Sequence, residues 1–212
     1  MAKVKVPRKS VSLDMTAMCD MAFLLLNFFI LTAKFKPEDP VTVDTPGSVS
    51  ETLLPDKDLM VISIDKDGRV FFGVSGQFVR EEMLRNFASK YKVPLSEADV
   101  KGFSLLSTFG VEAMQLPGLL KLSNEDKNKP GVQGGVPTDS LNNQLSDWIA
   151  YARYANTKIN IDKGLPDLGM KVAVKGDKGT PYPVVKRVIA TLQDQNINRI
   201  NLITNLEGKP GA

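Results

Sequence analysis

Residues 13–29 read LDMTAMCDMAFLLLNFF, and they belong to an apolar run that extends from Met15 to Ala33. As a helix rising ~1.5 Å per residue, its roughly 19 residues cover ~28 Å, close to the ~30 Å hydrocarbon thickness of a bilayer. The preceding segment, MAKVKVPRKS, carries Lys3, Lys5, Arg8 and Lys9, with no acid before Asp14. Beyond the run, Lys34 and Lys36 give way to Glu38, Asp39 and Asp44. The stronger basic flank is N-terminal. The positive-inside rule therefore predicts one transmembrane helix over residues 13–35, residues 1–12 as a cytoplasmic tail, and everything from residue 36 onward outside. A secretory signal peptide shares the basic start and apolar middle, but such regions are short, seldom hold a carboxylate and end in a small-residue cleavage site. A buried helix of a soluble protein would show polar residues every turn, whereas Ala22–Leu26 and Phe28–Leu31 are apolar all round.

Inside this run lie three polar side chains with a common geometry. Asp20 and Asn27 are seven residues apart, and seven steps of ~100° return to within ~20° of the same face. Thr16, one turn before Asp20, joins that stripe, while Leu25, Leu26, Phe29 and Ile30 occupy other faces. A charged Asp at a helix centre costs ~2.5–3.5 kcal/mol on insertion scales, so it faces protein or water rather than lipid. The helix therefore needs a partner. A carboxyl lodged there and able to gain and lose a proton is the chemistry of a proton relay. The alternative places Asp20 at the headgroups with residues 21–33 alone crossing, which covers only ~20 Å of the core. Asn27 reads equally as an amide that glues helices together. Asp14 reads as a helix cap or headgroup-level residue, and Cys19 as a small packing residue.

Residues 36–58 form a tether holding four of the thirteen prolines and several acids. Within it Val41, Val43 and the break at Pro46 make a short alternating segment, either free or added as an edge strand to a sheet. A folded domain over 59–206 follows, with 207–212 as a tail. Leu59–Asp65, the Asp67-Gly68 turn and Arg69–Gly73 read as a hairpin. A helix is predicted from Val79 to Tyr91, with Arg80, Glu81, Glu82 and Arg85 mostly outward. Near the C-terminus Met170–Lys175, Tyr182–Gln195 and Arg199–Thr204 read as strand, helix and strand, with Pro181 and Pro183 at the helix start, where proline is tolerated. The fold class is thus α+β: a single N-terminal transmembrane helix, an extended tether and a small ββα…βαβ domain. The stretch from about 92 to 169 reads as a long insertion. It holds a helix from Leu141 to Asn156, capped by Ser140, and a GVQGG segment (Gly131–Gly135) that reads as linker because it lacks the Lys-Ser/Thr of a phosphate loop.

Composition narrows the chemistry. The 212 residues carry a net charge of +3, no histidine and one cysteine. That removes the commonest general base and zinc ligand, any intrachain disulfide and any thiolate cluster, and nothing points to nucleic acid. Ser107, Asp139 and Lys158 could be assembled into a hydrolase site, but no motif spacing orders them. A membrane-tethered module that binds the cell wall or another envelope protein is the main rival to a proton-driven subunit.

The pattern LDMTAMCDMAFLLLNFF, the proline-bearing tether with Val41, Val43 and Pro46, and the order of elements in the domain together resemble the ExbD/TolR family of biopolymer transport proteins. The intramembrane aspartate of that family maps onto Asp20, and Thr16 falls where the family often has a threonine. Ala17 stands where a proline commonly follows it, and the insertion is not typical. The resemblance implies a subunit of an inner-membrane motor rather than an enzyme, with protons as the coupling ion and no other cofactor. It implies an ExbB-like ring-forming partner enclosing two copies of the helix, a periplasmic domain that forms a homodimer, and output to a TonB-like protein that works outer-membrane receptors. A Tol-type role in envelope maintenance is the close alternative.

Overall fold

The computed structural model describes residues 15–33, 47–48, 57–129, 131–139, 141–166, 168–203 and 205–206. The chain divides into two units, residues 1–36 and 37–212. In the first, one helix is described, α1 (Met15–Thr32). In the second, the N-terminal elements are β1 (Gly47–Ser48), β2 (Leu59–Ile64), β3 (Val70–Val74), α2 (Gln77–Tyr91), α3 (Glu97–Ser104) and β4 (Thr108–Phe109). A 3-10 turn at Ala113–Gln115 then leads into α4 (Leu116–Lys121), α5 (Asn124–Lys127), β5 (Thr138–Asp139), β6 (Asn142–Asn143) and α6 (Gln144–Asp162). The chain closes with β7 (Lys171–Gly176), α7 (Tyr182–Asp194), β8 (Ile200–Ile203) and β9 (Asn205–Leu206). The mixed α+β class is as expected, and the strands and helices predicted within 59–91 and 170–206 stand within two residues of their expected bounds. Val41, Val43 and Pro46 lie outside the described residues, as do Asp14 and Ser140.

A five-stranded sheet in the order β4-β3-β2-β7-β8 organises the domain. β2 alternates, with Met60, Ile62 and Ile64 fully buried and Leu59, Val61 and Ser63 half-buried, as a strand with one covered face should. The turn into β3 is closed by Gly68, at φ +77°, whose N–H donates to Asp65 O at 3.0 Å. β3 runs antiparallel to β2, pairing Ile62 with Phe72. β7 and β8 are parallel to β2, and each arrives by a crossover that carries helices over the same face. There Val79, Met83, Leu84 and Phe87 of α2 and Val184, Val188 and Leu192 of α7 join the strand residues in a single core. Separately, β1 pairs in parallel with β9, Gly47 against Asn205 and Ser48 against Leu206.

The stretch 92–169 is more deeply integrated than an insertion between finished halves. β4 adds antiparallel to β3 and extends the sheet by a strand. Phe103, Phe109, Leu116, Leu145, Trp148 and Ile149 enter the same core, each with 2 % or less of its surface exposed. The expected linker GVQGG is also packed. Gln133 is buried, accepts from Gly110 N at 2.6 Å through its side-chain oxygen and donates to Lys127 O at 3.0 Å through its amide nitrogen. Gly135 N donates to Gly110 O at 2.8 Å, and Val136 N to Val70 O at 2.7 Å. The glycines permit that close passage. Gly135 holds φ +97°, and a Cβ there would stand 3.0 Å from Val70 N. Helix α6 also starts later and runs further than expected, and its cap is Asn143, whose side chain accepts from Ser146 N at 3.2 Å.

Candidate functional site

Helix α1 is apolar apart from a few polar side chains, and its 18 residues span ~27 Å at ~1.5 Å each. None is buried. Met18, Phe23, Leu24, Leu25, Leu26 and Ile30 all stand exposed, which excludes a core helix of this fold. Thr32 turns its hydroxyl back on the helix, donating to Phe28 O at 2.7 Å, so that polar atom is satisfied without water. The span of regular helix is Met15–Thr32, inside the expected 13–35.

Asp20, Thr16 and Asn27 all fall on this one continuous helix, so their spacing translates directly into a shared stripe. No cation among the described residues pairs with the Asp20 carboxyl. Cys19, beside it, is a free and exposed thiol.

Among the described residues the arrangement is therefore one apolar helix of membrane-spanning length with a carboxyl at Asp20, and a sheet domain whose core includes residues of the stretch 92–169. A family model described as biopolymer transport protein ExbD/TolR matches residues 7–207. The chain belongs to the ExbD/TolR family. The match spans α1 and the whole of residues 59–206, the region 92–169 included. No curated protein and no solved structure matches the chain. The family is membrane-anchored, its members are subunits of motors that energise transport, and they generally work with ExbB/TolQ and TonB/TolA partners.

The hydrolase alternative finds its residues engaged elsewhere. Lys158 donates to Glu82 at 2.7 Å, and Asp139 accepts from Arg187 at 2.7 Å. Ser107 lies in the loop before β4, its carbonyl close against Gly73. One feature escaped the sequence reading. On the sheet face away from the helices, Val61, Ser63, Gly73, Lys175 and Ile203 line a depression of about 330 Å³. At its rim Arg80, expected to point outward, turns in. Its guanidinium donates to Ser104 O at 2.8 Å and Val74 O at 2.9 Å. The clue was its spacing of four residues from buried Leu84, which puts the two on one face of α2.

Proposed function

We propose that this protein is an ExbD-type subunit of an inner-membrane motor in which protons passing through Asp20 drive movement of α1. The N-terminus faces the cytoplasm and the domain 59–206 the periplasm. Two copies of α1 stand inside a ring of an ExbB-like multi-helix partner, and the periplasmic domains pair as a homodimer. The observation that carries this reading is the position of Asp20 in a lipid-length helix of an ExbD/TolR family chain.

The energetics are matched. Lodging an ionised Asp within the bilayer costs up to ~2.5–3.5 kcal/mol, the value at a helix centre, and a charge crossing 100 mV releases ~2.3 kcal/mol. One proton per step thus supplies energy of the size that separates the charged and neutral states of the helix. With Asp20 neutral, the α1 pair shifts against polar groups of the ring, and Thr16 and Asn27 supply the polar contacts along the same stripe. The motion passes through the tether, Val41, Val43 and Pro46 included, to a TonB-like protein and so to outer-membrane transport. A Tol-type subunit, serving envelope maintenance, is the second reading, because the family match embraces both.

Extraction in mild detergent and affinity purification test the assembly. A ring-forming multi-helix protein is expected to co-elute. Replacing residues 1–36 by an unrelated single-span anchor is expected to abolish energised transport. Full function with that foreign anchor would instead leave a tethered envelope-binding module.

A further inference from the structure

The end of the domain at which β2 begins carries an apolar surface that its core does not use. Asp58, just before β2, is fixed there by two bonds: its carbonyl accepts from Lys171 N at 2.7 Å, and its carboxylate from the Asn160 amide at 3.4 Å. Asn160 belongs to the last turn of α6. Just beyond it, Ile161, Leu165 and Leu168 are 66 %, 54 % and 87 % exposed. Phe78, in the first turn of α2, is 65 % exposed. Contacts of Lys90 with Asp147 and of Glu82 with Lys158 show α2 and α6 running antiparallel, which brings Phe78 level with the end of α6. The Lys163 ammonium accordingly sits 5.0 Å from the Phe78 ring centre.

Large apolar side chains gathered at one end and bordered by the exposed lysines Lys57, Lys163 and Lys171 have the composition of an interfacial membrane surface. In sequence the same stretch also carries the acids Asp162, which is exposed, and Asp167. The covalent chain ties the domain to the membrane helix, since the 13 residues 34–46 hold Gly47 at the start of β1 within roughly 50 Å of the end of α1 even when fully extended. A tethered surface meets its target at an effective concentration on the order of mM, so weak apolar contacts suffice.

We propose that Phe78, Ile161, Leu165 and Leu168 form a lipid-docking surface that rests the domain on the outer leaflet, with Lys57, Lys163 and Lys171 meeting anionic headgroups. This rests on the reading of α1 as membrane-spanning. The test uses the full chain in nanodiscs of phosphatidylcholine, with and without phosphatidylglycerol, containing lipids spin-labelled at the headgroup or along the acyl chain. A fluorophore is placed on Cys19 of the native chain or, in a Cys19→Ala background, on Leu168→Cys or on the distant control Glu125→Cys. The Leu168 probe is expected to be quenched several-fold more than the Glu125 probe. The joint change Phe78→Ser, Ile161→Ser and Leu165→Ser should remove the excess, and Lys163→Gln with Lys171→Gln should remove its dependence on phosphatidylglycerol. Equal quenching at residues 168 and 125, with Cys19 quenched by acyl-chain labels, would overturn the docking surface and leave the spanning helix intact. An unquenched Cys19 would overturn both.

Discussion

Phe87 of α2 and Trp148 of α6 stack face to face, their ring centres 3.5 Å apart and their planes 10° from parallel. Phe103 and Phe109 close around the same indole, at 6.0 and 4.8 Å. All four rings have 2 % or less of their surface exposed. Three of them come from the stretch 92–169, so the domain's core is completed by residues that interrupt its simpler ββα…βαβ order.

Trp148→Ala should therefore destabilise the folded domain by about 3–5 kcal/mol, the range for removing a large aromatic from a packed core. Trp148→Phe should cost much less, because the buried indole N–H finds no acceptor among the described residues and its loss sacrifices no hydrogen bond. Urea unfolding followed by circular dichroism compares the two. Equal and small losses would mean that the insertion packs independently of the sheet.

Arg80→Ala should cost about 1–3 kcal/mol, since it leaves the Val74 and Ser104 carbonyls without their guanidinium donor in a partly buried site. Arg80→Lys should recover only part of the loss, because an ammonium cannot span both acceptors with the planar fork of a guanidinium. An unchanged urea midpoint for Arg80→Ala would show that solvent replaces both bonds freely.

Acid should weaken the domain in a defined window. The hydrogen bond from Lys158 holds the Glu82 carboxyl below its ordinary value, and the backbone N–H of Ser96 does the same for Asp99 in the capping box of α3. Both groups bind protons more readily when unfolded. Their contribution is complete above the ordinary carboxylate range of about 4, and it is lost as pH falls through the lower folded-state values. Urea midpoints should be flat from pH 7 to about 5 with respect to these groups and fall below that, less steeply in Glu82→Gln. A Glu82→Gln profile that tracks the wild type throughout would remove Glu82 from the account.

How much of this could be read in the chain follows from periodicity. α1 was legible as a helix because its apolar run is unbroken over five turns, and Asp20 stands out in it as a carboxylate at odds with its neighbours. β2, β3, α2, β7 and α7 carry repeats of two or 3.6 residues long enough to be distinctive. β4 has only two residues and therefore no period to detect. The GVQGG segment packs through a buried glutamine and backbone bonds made possible by glycine, which composition alone reads as linker. The cap of α6 moved from Ser140 to Asn143 because either residue type can fill that role and tertiary packing decided between them.

The central claim concerns a single proton-carrying group. Proton flux and energised uptake should be measured in vesicles bearing the assembled motor, with Asp20→Asn compared against wild type at equal subunit content. The amide fills the same volume but cannot ionise, so both flux and uptake should fall to background while the ring still forms. Wild-type flux through an assembly whose α1 carries Asn at position 20 would contradict the account.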